Sequence, residues 1–526
     1  MKGLVGKFAT VGGATLASRL LGFARDALIG RALGTGPFAE AFVVAFALPN
    51  LFRRIFAEGA FNTAFVPLFA KKLEGEERSV SLIFAEQVIS VLVPVLMVLS
   101  LFAIVAMPAV IFITNPFWLW QGGEFVEAPL KFDIAVIYGR IMFSYLFCMS
   151  LVAMLSGVLN SLRRYFIAAI GPVLLNVILV SLVAAAIHLQ IDQYGTGLWL
   201  SWGVFAAGFA QLAFLVWGTR REGYSIMPKK PVMNDDIRRL LKLMGPAVLT
   251  GGVLQINLVI GQIIASAQDG ARALLYYADR LNQLPLGLIG IAIGIVLLPE
   301  LSRALKAGDM DEASHLQNRS LEFALGLTLP AAVGFTVMPV ALVSIVFEGG
   351  AFTRDSTYLV AYALAGFATG LPAYVLIKVF QPAFFAREDM RTPFRFSAVM
   401  VVVNIIGSIA LFPFFGHVGI ALATSISAWV NLALLVATLY SNGDFRPSAV
   451  TLKRVALIVL CSSVMGVIVL ALKTWFADTV FSSHFVERLV ATGAIIAAGA
   501  ALYFALIFAT GAIDRAQIMR MVGRRV

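Results

Sequence analysis

Apolar stretches, each long enough to cross a membrane and each closed by a short polar or glycine-containing break, follow one another along the whole chain. A bilayer core about 30 Å thick needs roughly 20 apolar residues per helix, and on that measure about 14 spans are predicted. They lie near 8–33, 38–70, 80–113, 133–160, 165–188, 196–219, 240–267, 271–303, 316–347, 355–385, 393–413, 417–440, 452–472 and 488–511. The pattern predicts an all-α polytopic membrane protein. The stretch MNDDIRRLLKLMG, with acidic residues at its start and an apolar stripe opposite a basic face, reads as an amphipathic cytoplasmic linker helix over 223–239.

Composition agrees with the pattern. The 526 residues are 60% hydrophobic and 13% charged, and the mean hydropathy is +0.90; so much apolar surface has no place in a water-soluble domain. Arg19, Arg25 and Asp26 interrupt the first segment and no small-residue cleavage site follows an apolar core, so it reads as a retained span and not a signal peptide. Cys148 and Cys461 lie far apart in apolar runs without metal-ligand spacing, which suits packing better than a disulfide or a zinc site.

Charge sets the expected orientation. Lys71-Lys72, Arg163-Arg164, Arg220-Arg221, Lys229-Lys230, Arg303, Lys306, Arg387, Arg391, Lys453-Arg454 and Arg524-Arg525 all fall in even-numbered connections or the C-terminal tail. Lysine and arginine accumulate on the cytoplasmic side, so both termini are expected there. The net charge of +11 then reads as an orientation signal, and nucleic-acid binding is not needed to explain it.

Superposing Pro67 on Pro299 matches a small-residue stretch, an apolar run, the proline and a basic exit. A repeat of six spans follows, predicting two six-helix bundles facing a central cavity, plus two extra C-terminal helices. The corresponding segments are 1–222, the linker, 240–442, and 443–526 with its basic tail.

Away from the span ends, the basic residues that stand out inside predicted spans are Arg19, Arg25, Arg53, Arg54, Arg140, Arg280 and Lys378. A charge near a span's centre costs roughly 2.5 to 3.5 kcal/mol on insertion scales, so such residues normally face water or a partner. At 1.5 Å per residue Arg19 lies about 16 Å and Arg25 about 25 Å from the cytoplasmic face, and Arg280 about 14 Å from the outer one. Arginine keeps its charge and matches phosphate oxygens with a planar fork of donors, so a diphosphate suits Arg19, Arg25, Arg53 and Arg280. Internal ion pairs could absorb these charges instead. Neighbours in sequence do not face one another on a helix, which leaves Arg54 with Glu58 as the ready local pair, and Asp26 and Asp279 as supporting charges. Glu40 and Glu58 read as partners that orient the arginines or as protonatable groups. Gly22 and Gly59 permit a bend or a close helix contact. Arg140 and Lys378 stay open between cavity and structural roles.

At SRLLGFARDALIGRALG and AFVVAFALPNLFRRIFAEGAFNTAFVP the chain resembles the MurJ (MviN) family, within the multidrug/oligosaccharidyl-lipid/polysaccharide exporter superfamily. The likeness continues through LLYYADRLNQLPLGLIGIAIGIVLLPELS and REDMRTPFR. The resemblance implies a flippase that moves lipid II, the undecaprenyl-diphosphate-linked peptidoglycan precursor, across a bacterial inner membrane by alternating access. It carries the family's cavity arginines onto Arg19, Arg25, Arg53 and Arg280 and its glutamate onto Glu58. Glu40 stands where the family has Asp. For the sodium site of some members, the seventh and eleventh spans offer Gln255, Asn257, Gln262 and Asn404 but no carboxylate, so neither a metal nor a cofactor is expected, and the coupling ion is not assignable. Cell-wall synthesis proteins are conceivable partners.

Rivals are a flippase of another polyprenyl-diphosphate glycan and a cation-coupled multidrug exporter, whose cavity would want acidic groups. No enzyme is expected, since His188, His315, His417 and His484 are isolated near span ends and read as surface residues, and no nucleophile or phosphate-loop motif occurs.

Overall fold

The computed structural model describes residues 2–54, 61–75, 77–121, 124–127 and 129–512. Helices make up most of them, and the sheet among the described residues is a short antiparallel pair of two-residue strands, β1 (Trp120–Gln121) with β2 (Glu124–Phe125). Ten described helices are long and apolar enough to cross a membrane. The remaining spans of the expected fourteen or so correspond to α1 (Lys2–Leu33), α2 (Pro37–Phe52) with α3 (Asn62–Gly75), α9 (Asp235–Ala265) and α10 (Ala271–Lys306), which carry more charge or are interrupted. The all-α polytopic expectation holds.

Two compact units form. The first takes residues 1–273 with 349–352, and the second 274–348 with 353 onward. The first adds α4 (Arg78–Val105), α5 (Met107–Thr114), α6 (Leu130–Ser161), α7 (Tyr165–His188) and α8 (Gln193–Arg221). Its core is α6, whose buried face includes Tyr138, Phe143, Leu146 and Cys148. The second adds α11 (Met310–Val337), α12 (Pro339–Phe347), α13 (Arg354–Ala368), α14 (Leu371–Phe385), α15 (Arg391–Phe415), α16 (His417–Ser441), α17 (Ala449–Trp475), α18 (Ala477–Val480) and α19 (Phe485–Thr510).

The two units repeat one plan. Pro67 and Pro299 stand equally far ahead of the next helix, which begins at Arg78 or Met310. That helix runs 28 residues in both units and then breaks at Met107-Pro108 or Met338-Pro339. A run of 32 residues follows, Leu130–Ser161 or Arg354–Phe385. It ends in a turn with a left-handed residue, Arg163 at φ 60 or Glu388 at φ 63. The Met-Pro breaks support the duplication far better than the small-residue stretches, because a proline removes one helix hydrogen bond at a defined place. Pro108 leaves the Ile104 carbonyl without its intrahelical donor, and Arg140 Nε supplies one at 3.3 Å. At the other break Lys473 Nζ donates to the Val337 carbonyl at 2.8 Å.

The linker differs from expectation. Residues 224–234 form no helix, and helix α9 begins only at Asp235. The segment is strapped along α4: Tyr224 is buried under the Arg78 guanidinium, 4.6 Å from its ring. Its hydroxyl lies 3.1 Å from Ser81 Oγ, Lys229 pairs with Glu86, and Asn234 Nδ2 donates to Gln87 at 2.8 Å. These side-chain partners on α4 outcompete a free amphipathic helix. Asn234 caps α9, and Asp236 pairs with Lys72 of α3 at 3.0 Å. Helix α9 therefore groups with the first unit, and the compact units divide at 273/274 and not within 223–239.

In the second unit α17 and α19 are fastened to α11–α12 at several levels. Arg454 and Thr451 bond Glu322 at 2.9 and 2.7 Å, and Tyr503 donates to the Gly326 carbonyl at 2.6 Å. Arg488 of α19 pairs with Glu348 just past α12.

Candidate functional site

Helix α1 continues unbroken past Gly22, which faces α7 and makes no bend. A Cβ there would meet the Asn176 side chain of α7 at 3.4 Å. Asn176 is buried, donates from Nδ2 to the Ser18 carbonyl at 2.9 Å and accepts from Arg25 Nη1 at 2.9 Å. Arg25 Nε and Nη2 also reach Asp26 Oδ1 at 2.9 and 2.7 Å. The expectation that neighbours in sequence cannot pair is thus corrected. Arginine's long, flexible arm lets its guanidinium reach the neighbouring carboxylate although the two Cβ atoms point apart. The guanidinium also lies 5.4 Å from the Phe46 ring centre on α2. Arg25 is 7% exposed and Asp26 2%.

Arg19 lies less than two turns earlier on the same helix and is exposed. Arg53 caps the C-terminal end of α2, where Arg53 and Arg54 form a π turn. It is half-buried. Arg25 and Arg53 belong to the same compact unit. Glu58 and Gly59 lie outside the described residues, so the Arg54 pair expected there does too. In the second unit Arg280 is half-buried with its guanidinium 4.5 Å from the Tyr276 ring. Asp279, one residue earlier, accepts from Gln283. Lys378 is half-buried in a tightly packed stretch of α14. Arg140 is exposed and holds the α4–α5 break.

Glu40, in the first turn of α2, is 1% exposed. It accepts from Lys131 Nζ and from the Arg272 backbone N–H, both at 3.3 Å. Lys131 is itself buried, pairs with Asp269, and sits 5.0 Å from the Trp118 ring. Lys131, Arg272 and Asn176 were missed in the sequence. The first two lie at the ends of predicted spans, where a basic residue is unremarkable, and Asn176 is a lone polar residue in the apolar run VLLNVILV.

His417 is buried, its ring 2.9 Å from the Leu359 carbonyl, and not a surface residue as expected. Both cysteines are buried packing residues. Asn404 accepts from Ser408 and Thr424. Among the described residues no cluster of His, Cys, Asp or Glu has the makings of a metal site.

A family model described as lipid II flippase MurJ matches residues 29–491. A probable lipid II flippase MurJ of Rhizobium meliloti is 48% identical, covering 99% of this chain and 96% of the relative. One from Rhizobium tropici is 46% identical over 99% and 97%. In fold, the chain resembles a lipid II flippase MurJ solved in an inward closed conformation, with TM-score 0.76, 23% identity and coverage of 98% and 99%. A multidrug resistance transporter of the MATE family, solved facing inward, gives 0.66 at 13% identity over 84% and 95%. The extent and identity of these matches place the chain in the MurJ family of lipid II flippases.

Proposed function

We propose that this protein is a transporter that moves lipid II from the cytoplasmic to the periplasmic leaflet of the inner membrane, supplying cell-wall synthesis. Membership of the family over nearly the whole chain supports the substrate. The observation that carries the chemistry is a guanidinium buried within a span, Arg25 held between Asp26 and Asn176. In this reading Arg19, Arg25, Arg53 and Arg280 grip the diphosphate, since fixed guanidinium forks bind phosphate oxygens more strongly in a poorly solvated site. Arg19, being exposed, makes first contact. Asp26 and Asn176 hold Arg25 in orientation until the ligand arrives. Lys131, paired with Glu40, stabilises one conformation, and diphosphate charge neutralising the arginines favours another. Both termini lie in the cytoplasm, as the loop charges suggest, and cell-wall synthesis proteins are candidate partners.

Depleting the protein in living cells that have no second flippase should trap lipid II in the inner leaflet. An unchanged leaflet distribution removes the proposal. Fold likeness to a multidrug transporter supports a second reading, export of cationic drugs. The basic residues at membrane depth oppose it, and a drug-resistance assay on the same depleted cells separates the two.

A further inference from the structure

Arg25 meets any ligand with its fork of donors already engaged. Nε and Nη2, the edge that offers two parallel donors, both donate to Asp26 Oδ1, at 2.9 and 2.7 Å. Nη1 donates to Asn176 Oδ1 at 2.9 Å. Both acceptors are buried. A phosphate that is to be held in the bidentate manner therefore has to take the place of one of them.

The two acceptors differ in how readily they yield. Asn176 is neutral and fastened at its other end, where Nδ2 donates to the Ser18 carbonyl at 2.9 Å and lies 3.4 Å from Ser18 Oγ. It stays fixed to α1 whether or not Arg25 bonds it. Asp26 is an anion on the edge that matches two phosphate oxygens, so a phosphate replaces it like for like. Stripping a buried guanidinium of its anion is strongly unfavourable, and exchange of one anion for another never strands the charge. Asp26 also stays close once displaced. It is the next residue on the unbroken helix α1, so its carboxylate remains tethered beside the guanidinium at a high effective concentration.

We propose that Asp26 is a resident competitor of the substrate diphosphate: it occupies the Nε–Nη2 edge of Arg25 between cycles, gives way on binding, and retakes the edge to drive release. This rests on the diphosphate reading of Arg25 and goes beyond a supporting charge. Asp26 lowers the affinity of the site, and turnover depends on that lowering, because a grip that nothing competes with does not let go.

The test is calorimetric titration of inorganic diphosphate into the full chain in nanodiscs, alongside rescue of flippase-depleted cells. Asp26→Asn exchanges charge-assisted hydrogen bonds on Arg25 for neutral ones, so it should bind diphosphate about tenfold more tightly than wild type. It should nevertheless fail to rescue growth. Asp26→Glu returns the anion and should bring both affinity and growth back toward wild type. A pair that serves only to stabilise the fold would not tighten binding when broken. Wild type carrying isotope-labelled aspartate gives a measurement that needs no variant to fold: its infrared difference spectrum on adding diphosphate should contain an aspartate carboxylate band. Unchanged or weaker binding by Asp26→Asn, full growth with it, or no aspartate band in the wild-type spectrum overturns the proposal and leaves the diphosphate reading standing. No binding by wild type, or equal binding by wild type and Arg25→Ala/Asp26→Asn, overturns that reading and the proposal with it.

Discussion

Two arginines on one helix meet different fates. Arg19 is exposed, while Arg25, less than two turns further on, is buried among Asp26, Asn176 and Phe46. Replacing Arg19 by Ala should abolish rescue of flippase-depleted cells without lowering the protein's abundance in the membrane; normal rescue removes Arg19 from the diphosphate grip. Arg25→Ala carries a second penalty, because the Asp26 carboxylate stays buried without its guanidinium, a loss of about 3 to 5 kcal/mol for broken buried pairs. The double variant Arg25→Ala/Asp26→Asn should recover most of the melting temperature in detergent yet still fail to rescue growth. If it rescues, Arg25 is structural only. Sequence spacing located both arginines at depth, but Asn176 lies 151 positions from Arg25, and no local pattern couples residues so distant. The Glu40 partner Lys131 was obscure for the same reason, and because a lysine beside an outer connection normally signals a span end.

At the scale of elements, the Met-Pro breaks are the informative features. If Arg140 replaces the hydrogen bond that Pro108 deletes, Arg140→Leu should destabilise the wild type by about 0.5 to 1.5 kcal/mol. In a Pro108→Ala background, where the Ile104 carbonyl regains a helical donor, the same change should cost much less. A double-mutant cycle in thermal melts measures the difference, and equal costs in both backgrounds would show that the pairing does nothing for the break. Beyond α12, the Glu348 carboxylate ties α13 to α19: burial alone would raise its pKa, but hydrogen bonds and the charges of Arg354 and Arg488 hold it below the usual 4.5. A depressed carboxylate contributes stability that is complete above its unfolded value and lost as pH falls through the folded one. The melting temperature should therefore drop below about pH 4.5, and Glu348→Gln should be less stable near neutrality and show a shallower acid loss. An unchanged acid profile would contradict the tie. The sequence showed Gly-rich EGGAFTRDS as a polar connection and nothing more, since Arg488 comes from a helix that begins more than a hundred residues later.

At the scale of the molecule, the loop charges make a topological prediction. Single cysteines replacing Lys230 and Ser482, in chains whose native Cys148 and Cys461 are buried, should differ in intact spheroplasts. A membrane-impermeant maleimide should label position 482 and leave position 230 unlabelled until the membrane is opened; the reverse pattern inverts the orientation. The duplication also belongs to this scale, and its surest marks, the two 28-residue helices and the matched left-handed turns, are geometric.

The sequence by itself determined the solvent, the number and order of spans, and the presence of arginines where a bilayer penalises them, because hydropathy and insertion cost act along the chain at single-helix range. Its long apolar runs admit helices and little else, since every backbone group in hydrocarbon must find its partner within the segment. Only the tertiary structure decided which buried charge pairs with which, that α1 stays unbroken at Gly22, that the linker is a strap on α4, and that α17 and α19 brace α11–α12. Those outcomes depend on side chains brought together from distant parts of the chain, where packing and hydrogen-bond geometry select among partners that look equivalent along the sequence.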